Sequence, residues 1–274
     1  MNQKDEVISE LEIELLLEAI QMVSGYDFRE YSKFSLARVV KRDLAILGLT
    51  HISELIPVIL HDKACLETLT QNLSVNVTEF FRNPGVLRHL IDNVFSVLQS
   101  FPFIKIWHAG CSVGKEAYSL PILFHEQGLP GRCLIYATDF NHKVLSTAKN
   151  GVCSREEVEA LNEKYKAGGR KHHISGYFHS QYNITFAHHN LEADGVFAEV
   201  QLIFCTNVLI YFIKDLKFRV ITLFHVSLYP SRYLLLGPTD ILNTGSPKFG
   251  FTEIGLNSHL YKKTPTLNSF TPIK

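Results

Sequence analysis

Apolar residues recur at helical spacing from the start of the chain. Leu11, Leu15, Ala19 and Met22 fall on one face with Ile8, Leu16 and Ile20 beside them, while Glu10, Glu14 and Glu18 take another. This is the pattern of an amphipathic helix, and Gly25 is placed to end it. A second helix is expected from about Ser32 to Gly48, and a third from Ser53 to Leu60, where Pro57 requires a first-turn position. A fourth covers Lys63 to about Leu73. From Phe103 the period changes. FIKIWHAG is a short apolar run ending in small residues, the mark of a buried strand. A glycine turn and helix follow. CLIYATDF, NITFAHHNL, VQLIFC and RYLLLG then read as further strands, with NHKVLSTAKNG and LKFRVITLFHVSL as helices among them. Alternating strands and helices imply crossover connections and a mostly parallel sheet covered on both faces. The ending, FGFTEIGLNSHLYKK, predicts an antiparallel hairpin turning near Gly255 and Asn257. The expected architecture is therefore a small all-helical domain over residues 1–80 and an α/β domain over 81–274. The pattern decides least between Asn72 and Phe101.

Composition narrows the classes of partner. Lys plus Arg and Asp plus Glu each number 27 in 274 residues, a formal net charge of +0, which disfavours a general nucleic-acid binder. A hydrophobic fraction of 46% supports a real core. No apolar run approaches the roughly 20 residues that span a bilayer, and MNQKDEVISE lacks the basic-then-apolar order of a secretory signal. Cys65, Cys111, Cys133, Cys153 and Cys205 form no CxxC pair, so reduced thiols in a cytoplasmic protein are expected. His172-His173 and His188-His189 have no carboxylate or cysteine at ligand spacing. Surface or loop histidines, and no bound metal, are the expectation.

HAGCSVGKE follows the first strand and enters a helix, the place where open α/β sheets bind ligands. Gly110 and Gly114 let backbone approach a ligand without a Cβ between them. The loop has no GK[ST] and is not a GxGxxG, so a phosphate-bearing ligand loses ground. Asp139 ends the second strand, where an acidic residue commonly accepts ribose hydroxyls; capping the helix that begins near Asn141 is its other reading. A glycine loop, an acidic strand end and no phosphate cradle together suggest S-adenosylmethionine. Cys111, beside the loop, reads as a packing residue and not a nucleophile.

Asn76-Val77-Thr78-Glu79-Phe80-Phe81-Arg82, then HAGCSVGKEAYSL, YATDFN, AHHNL and CTNVLIYF, occur in an order that resembles the chemotaxis receptor methyltransferases, the CheR family. GYDFREYS at Gly25 to Ser32 is similar to that family's N-terminal helical domain. The resemblance runs from about residue 10 to 263. It implies a Rossmann-like S-adenosylmethionine-dependent methyltransferase that modifies glutamate side chains on chemoreceptor cytoplasmic helices and leaves S-adenosylhomocysteine. By motif, Asn76, Thr78 and Arg82 would contact the cofactor or line the reaction site. Gly110 would lie in the cofactor loop, Glu116 by the methionine ammonium and Asp139 at the ribose. Asn190 and Leu191 would flank the adenine, and Thr206 and Asn207 would close the site. Arg82 and Tyr211 would stand beside the transferred methyl as the catalytic pair.

The second helix adds a candidate docking face. Lys33, Arg38, Lys41 and Arg42 lie in it and Arg29 just before it, with Phe34 and Leu44 expected elsewhere on the helix. A solvated charged face is the plain reading; the resemblance implies contact with glutamate-bearing receptor helices. Four departures from the family pattern stand out. The stretch from Gly168 to Asn183, with Tyr177, Phe178 and Tyr182, is short for the family's small insertion and reads either as a trimmed insertion near 165–185 or as a loop. Direct recognition of receptor helices is therefore expected over tether-peptide docking. Lys115 stands where an acidic residue is common, Thr206 replaces a usual arginine, and LLGPTD replaces a GHSE-like sequence. A cofactor-binding scaffold without turnover is the alternative these changes keep open. A monomer is expected.

Overall fold

The computed structural model describes residues 3–74, 78–129, 131–151, 159, 183–240, 242 and 249–264. Asn76, Cys153, His172, His173 and nearly all of the insertion region near 165–185 lie outside those residues. The chain divides into two compact units, Met1–Asn76 with Ile210–Lys217, and Val77–Leu209 with Phe218–Lys274.

The smaller unit contains α1 (Gln3–Ser24), α2 (Lys33–Leu47), α3 (Leu55–His61) and α4 (Lys63–Leu73). Gly25 and Gly48 follow α1 and α2 with φ of 78° and 70°, the left-handed conformation that glycine adopts without strain. Pro57 falls in the first turn of α3, where its missing N–H breaks no helical hydrogen bond. Asp62 caps α4 by accepting from the Ala64 and Cys65 amides. The buried stripe of α1 differs from the expected one. Ile13, Leu16, Leu17 and Ile20 are buried, whereas Leu11 and Leu15 are about half exposed and Met22 is 81% exposed. Two stripes share helical spacing in this leucine-rich segment. The buried one, on a helix that contacts α2, α3 and α4, is offset from the one the pattern favours.

The larger unit is built on a seven-stranded sheet. Its strands are β1 (Ile104–Ala109), β2 (Cys133–Asp139), β3 (Ile184–His188), β4 (Val200–Cys205), β5 (Leu228–Leu236), β6 (Phe251–Glu253) and β7 (Leu260–Lys263). Their order is β3-β2-β1-β4-β5-β7-β6. The first five run parallel, and β7 pairs antiparallel with both β5 and β6. This is the methyltransferase version of the Rossmann-like fold. Its switch point lies between β1 and β4, because the chain builds outward from β1 to β3 before returning to the other side.

Four helices flank the sheet: α5 (Pro84–Leu98), α6 (Lys115–Glu126), α7 (His142–Asn150) and α8 (Lys214–Ser227). The sequence pattern left α5 unassigned, although Pro84 opens it and Val86, Leu87, Leu90, Val94, Phe95 and Leu98 form its buried stripe. That stripe packs with Leu120, Leu123 and Phe124 of α6 on Ile104, Ile106, Leu202 and Leu235. On the opposite face Phe224 of α8 meets Trp107 edge-on at 5.4 Å. Among the described residues no single helix is long and apolar enough to cross a membrane.

Candidate functional site

The carboxyl ends of β1, β2 and β4 bring together most of the described candidate residues of the larger unit. β1 runs into Gly110 and a turn through Ser112 and Gly114, with φ of 75°, 51° and 83°. A Cβ on Gly110 would lie 2.4 Å from Val208 Cγ2, and one on Gly114 would lie 3.0 Å from Ala148 Cβ. Both glycines are therefore required by the protein's own packing around the loop.

Asp139 closes β2 and is 7% exposed. Its Oδ2 accepts the Ser112 amide at 2.9 Å and its Oδ1 the Asn141 amide at 3.0 Å. It does not cap α7. Asn141 does so, accepting from the Lys143 and Val144 amides. Asp139 instead braces the glycine loop and keeps lone pairs for further donors. Burial raises its carboxyl above the ordinary value of 3.8, against the downward pull of the Asn141 and Ser112 amides. A carboxyl raised in the folded state contributes stability that is full below its unfolded pKa and is lost as pH rises through the folded one. Asp139→Asn is uncharged throughout and removes this component. The variant-minus-wild-type difference in melting temperature is expected to become more positive as pH climbs above 3.8, measured by thermal melts without ligand.

Glu116, in the first turn of α6, is buried beside β1 and β4. Thr206 Oγ1 donates to its Oε2 at 2.5 Å, and His108 Nε2 lies 3.7 Å from the same oxygen. The threonine at the family's arginine position thus holds the buried carboxylate directly. Glu116 Oε1 and Thr78 Oγ1 are buried without a hydrogen-bond partner among the described residues. A buried carboxylate oxygen without a donor suits a ligand cation such as an ammonium group.

Residues 78–83 attach to this end of the sheet. The Phe81 amide donates to Ser119 Oγ at 2.9 Å, and Asn83 Nδ2 donates to Asn207 Oδ1 at 3.4 Å. Phe81, Asn83, Ser112 and Asn207 all have positive φ. Such strained backbone tends to collect at functional sites. Arg82 is half-buried in the same segment. The Asn207 amide donates to Asp240 Oδ2, and Asp240 is 3% exposed. Asp240, the end of the divergent LLGPTD run, therefore ties β4 to the chain leaving β5. Asn190 and Leu191, after β3, are half-buried, and the Asn190 side chain accepts the Glu192 amide at 2.9 Å.

His189 is not a surface residue. It is 5% exposed, meets Trp107 edge-on at 5.1 Å and pairs with the Gly195 carbonyl at 3.0 Å. Its place after β3 turns it inward, where the aromatic cluster provides packing. Among the described residues no group of three or more His, Cys, Asp or Glu is placed to hold a metal ion. Cys111 is buried with Ala117, Ala137 and Leu145, and burial with nearby Asp139 pushes its thiol well up. That environment suits packing and opposes a thiolate.

In the smaller unit the Tyr211 carbonyl accepts the Ser32 amide at 2.6 Å, and the Tyr31 and Phe212 rings meet edge-on at 5.1 Å. Tyr211 is thereby fixed beside the start of α2. The basic face of α2 is narrower than expected. Arg29 pairs with Asp27 and Lys33 with Glu14, leaving Arg38, Lys41 and Arg42 exposed along the helix. Arg42 also approaches Asp43 at 3.4 Å. Phe34 belongs to this face, contrary to the expectation. It is 84% exposed and stands one turn before Arg38, a spacing that places both on one side.

Comparison with known proteins agrees with this geometry. The family described as CheR methyltransferase, SAM binding domain, matches residues 76–256. A Pseudomonas putida protein named Cher3 is 37% identical over 267 residues, covering 93% of this chain and 98% of its own. A chemotaxis protein methyltransferase of Listeria innocua is 30% identical over 211 residues, covering 74% of this chain and 78% of its own. One from Vibrio anguillarum is 28% identical over 260 residues, covering 83% and 93%. With the sheet order, the glycine loop and the acidic end of β2, these matches establish that the chain belongs to the CheR methyltransferase family and carries its S-adenosylmethionine-binding domain.

Proposed function

We propose that the protein is a cytoplasmic protein-glutamate O-methyltransferase acting on the cytoplasmic helices of a chemoreceptor. The observation that carries the substrate assignment is the exposed face of α2, where Phe34, Arg38, Lys41 and Arg42 offer an apolar anchor amid positive charge. A helix bearing several glutamates complements that face in charge. Relatives named chemotaxis protein methyltransferase support the same assignment.

When bound, S-adenosylmethionine supplies a methyl group already activated on a sulfonium. Glu116 offers its Oε1, which has no hydrogen-bond partner among the described residues, to the ammonium end, and Asp139 has acceptor capacity left for ribose hydroxyls. Thr78, whose buried hydroxyl has no partner among the described residues, joins them. The motif assigns Asn76, Asn190, Leu191 and Asn207 to the remainder of the cofactor site, and Thr206 acts there through Glu116. No general base is required, because a glutamate side chain with a pKa near 4.3 is ionised at neutral pH. The demand on the protein is alignment, a proximity effect. Arg82 is assigned to grip the substrate carboxylate through its planar fork, and Tyr211 to orient the attacking oxygen.

Arg38→Glu combined with Arg42→Glu tests the docking face. The double variant is expected to lose about tenfold or more of its methyl transfer to receptor cytoplasmic fragments, while cofactor affinity is unchanged. Added salt is expected to slow the wild-type reaction on the same fragments, since exposed charges are screened. Full activity of the double variant on intact receptor would remove α2 from the docking surface.

A further inference from the structure

The run leaving β5 approaches the run leaving β4 more closely than a side chain between them would allow. A Cβ on Gly237 would lie 2.9 Å from the Asn207 nitrogen, 2.9 Å from Asp240 Oδ2 and 3.2 Å from Asn207 Oδ1. Gly237 is thus required for this contact, as close backbone approach demands. Residues 237–240 form a tight turn, in which the Asp240 amide donates to the Gly237 carbonyl at 2.9 Å. The turn returns the Asp240 carboxylate to its own first residue. Its Oδ2 accepts the Gly237 amide at 3.3 Å and, across the gap, the Asn207 amide. At 3% exposure this carboxylate is spent on backbone amides, not on water.

Asn207 is where these two runs meet a third segment. Its backbone is left-handed, with φ of 58°, a conformation that asparagine tolerates but that its surroundings must hold. Asp240 holds the amide of that residue, and neighbours hold its side chain on both sides. Asn207 Nδ2 donates to Thr239 Oγ1 at 3.2 Å, and Asn207 Oδ1 accepts from Asn83 Nδ2 at 3.4 Å. Asn83 is left-handed as well, with φ of 55°, and follows Arg82 directly. A hydrogen-bonded path therefore runs from Asp240 through Asn207 to the residue beside Arg82. We propose that Asp240 is a positioning residue for methyl transfer: it sets Asn207, and Asn207 through Asn83 sets how Arg82 meets the substrate carboxylate. This rests on the reading that Arg82 grips that carboxylate. The effect of Asp240 reaches the reaction as alignment, where a misplacement of about 1 Å can cost about 100-fold.

Single-turnover methyl transfer to receptor cytoplasmic fragments, measured beside titration with S-adenosylhomocysteine, tests the path. Asp240→Ala is expected to slow transfer about tenfold or more, with the dissociation constant within a few-fold of wild type. Asp240→Asn, which keeps an acceptor for the Asn207 amide, is expected to recover most of the rate. Thr239→Val and Asn83→Ala remove the side-chain half of the path, and each is expected to slow transfer several-fold. In an Arg82→Ala background all these losses are expected to shrink to within about twofold, because changes acting through one group are not additive. Losses that persist undiminished in that background overturn the positioning role and leave the Arg82 reading intact. An affinity loss equal to the rate loss, or full transfer by Asp240→Ala, does the same. Full transfer by Arg82→Ala itself, or no transfer by the wild-type protein, overturns both. Thr239 is exposed and Asn83 half-buried, so their variants decide the matter where Asp240→Ala fails to fold.

Discussion

Glu116→Gln is expected to weaken S-adenosylmethionine binding by about 10- to 100-fold without lowering the melting temperature of the ligand-free protein. The affinity loss follows from replacing a charge-assisted hydrogen bond, worth about 1.5–3 kcal/mol, with a neutral one. The stability half of the expectation follows from the surroundings. Glu116 is 6% exposed, its Oε1 has no hydrogen-bond partner among the described residues, and its Oε2 is held by Thr206. A buried charge with incomplete pairing destabilises a fold. Glutamine keeps an acceptor for Thr206 and removes that charge. A purely structural Glu116 would behave in the opposite way, with a lower melting temperature and an unchanged dissociation constant. Calorimetric titration beside thermal melts separates the two.

Arg82→Ala is expected to reduce methyl transfer by about 100- to 1,000-fold, with a smaller effect on cofactor affinity. The size is that of removing a positioned donor from a site whose chemistry depends on alignment. Arg82 lies in a segment pinned at both sides, through the Phe81 amide to Ser119 and through Asn83 to Asn207. Loss of its side chain is therefore expected to leave the local backbone in place. Arg82→Lys is expected to recover little, because an ammonium cannot reproduce a two-pronged grip on a carboxylate. Single-turnover transfer measured beside cofactor titration gives the split between kcat and binding. Equal losses in both would make Arg82 a cofactor ligand alone.

Much of the fold was legible in the sequence. The helix ends at Gly25 and Gly48 and the five parallel strands follow from glycine chemistry and short apolar runs. So does the final antiparallel hairpin. The stripe of α1 was misread because Leu11, Leu15 and Met22 repeat with the same period as Ile13, Leu16, Leu17 and Ile20. Periodicity gives a helix its apolar faces but does not choose among several. α5 escaped because its stripe follows an irregular, glycine- and proline-containing segment that resembles a linker.

At the site, the positions of Gly110, Glu116 and Asp139 were readable because the strand–turn–helix pattern fixes them. What each touches was not. Gly110 makes room for Val208, and Asn141, not Asp139, caps α7. His108 and Asp240 had no sequence signal of their own. Each matters through a partner distant in the chain, Glu116 for one and Asn207 for the other. Thr206, at the position where the family pattern has arginine, likewise meets its partner across the fold, donating its hydroxyl to Glu116.

The central claim is glutamate methylation of a receptor, and one incubation tests it most directly. The protein is mixed with methyl-labelled S-adenosylmethionine and receptor cytoplasmic fragments, and the fragments are then treated with mild base. The account predicts label on the fragments that base releases as a volatile product, as a carboxyl ester requires, and none on fragments whose glutamates are replaced by alanine. Tight cofactor binding with no transfer to any fragment, or transfer that survives base, would contradict it.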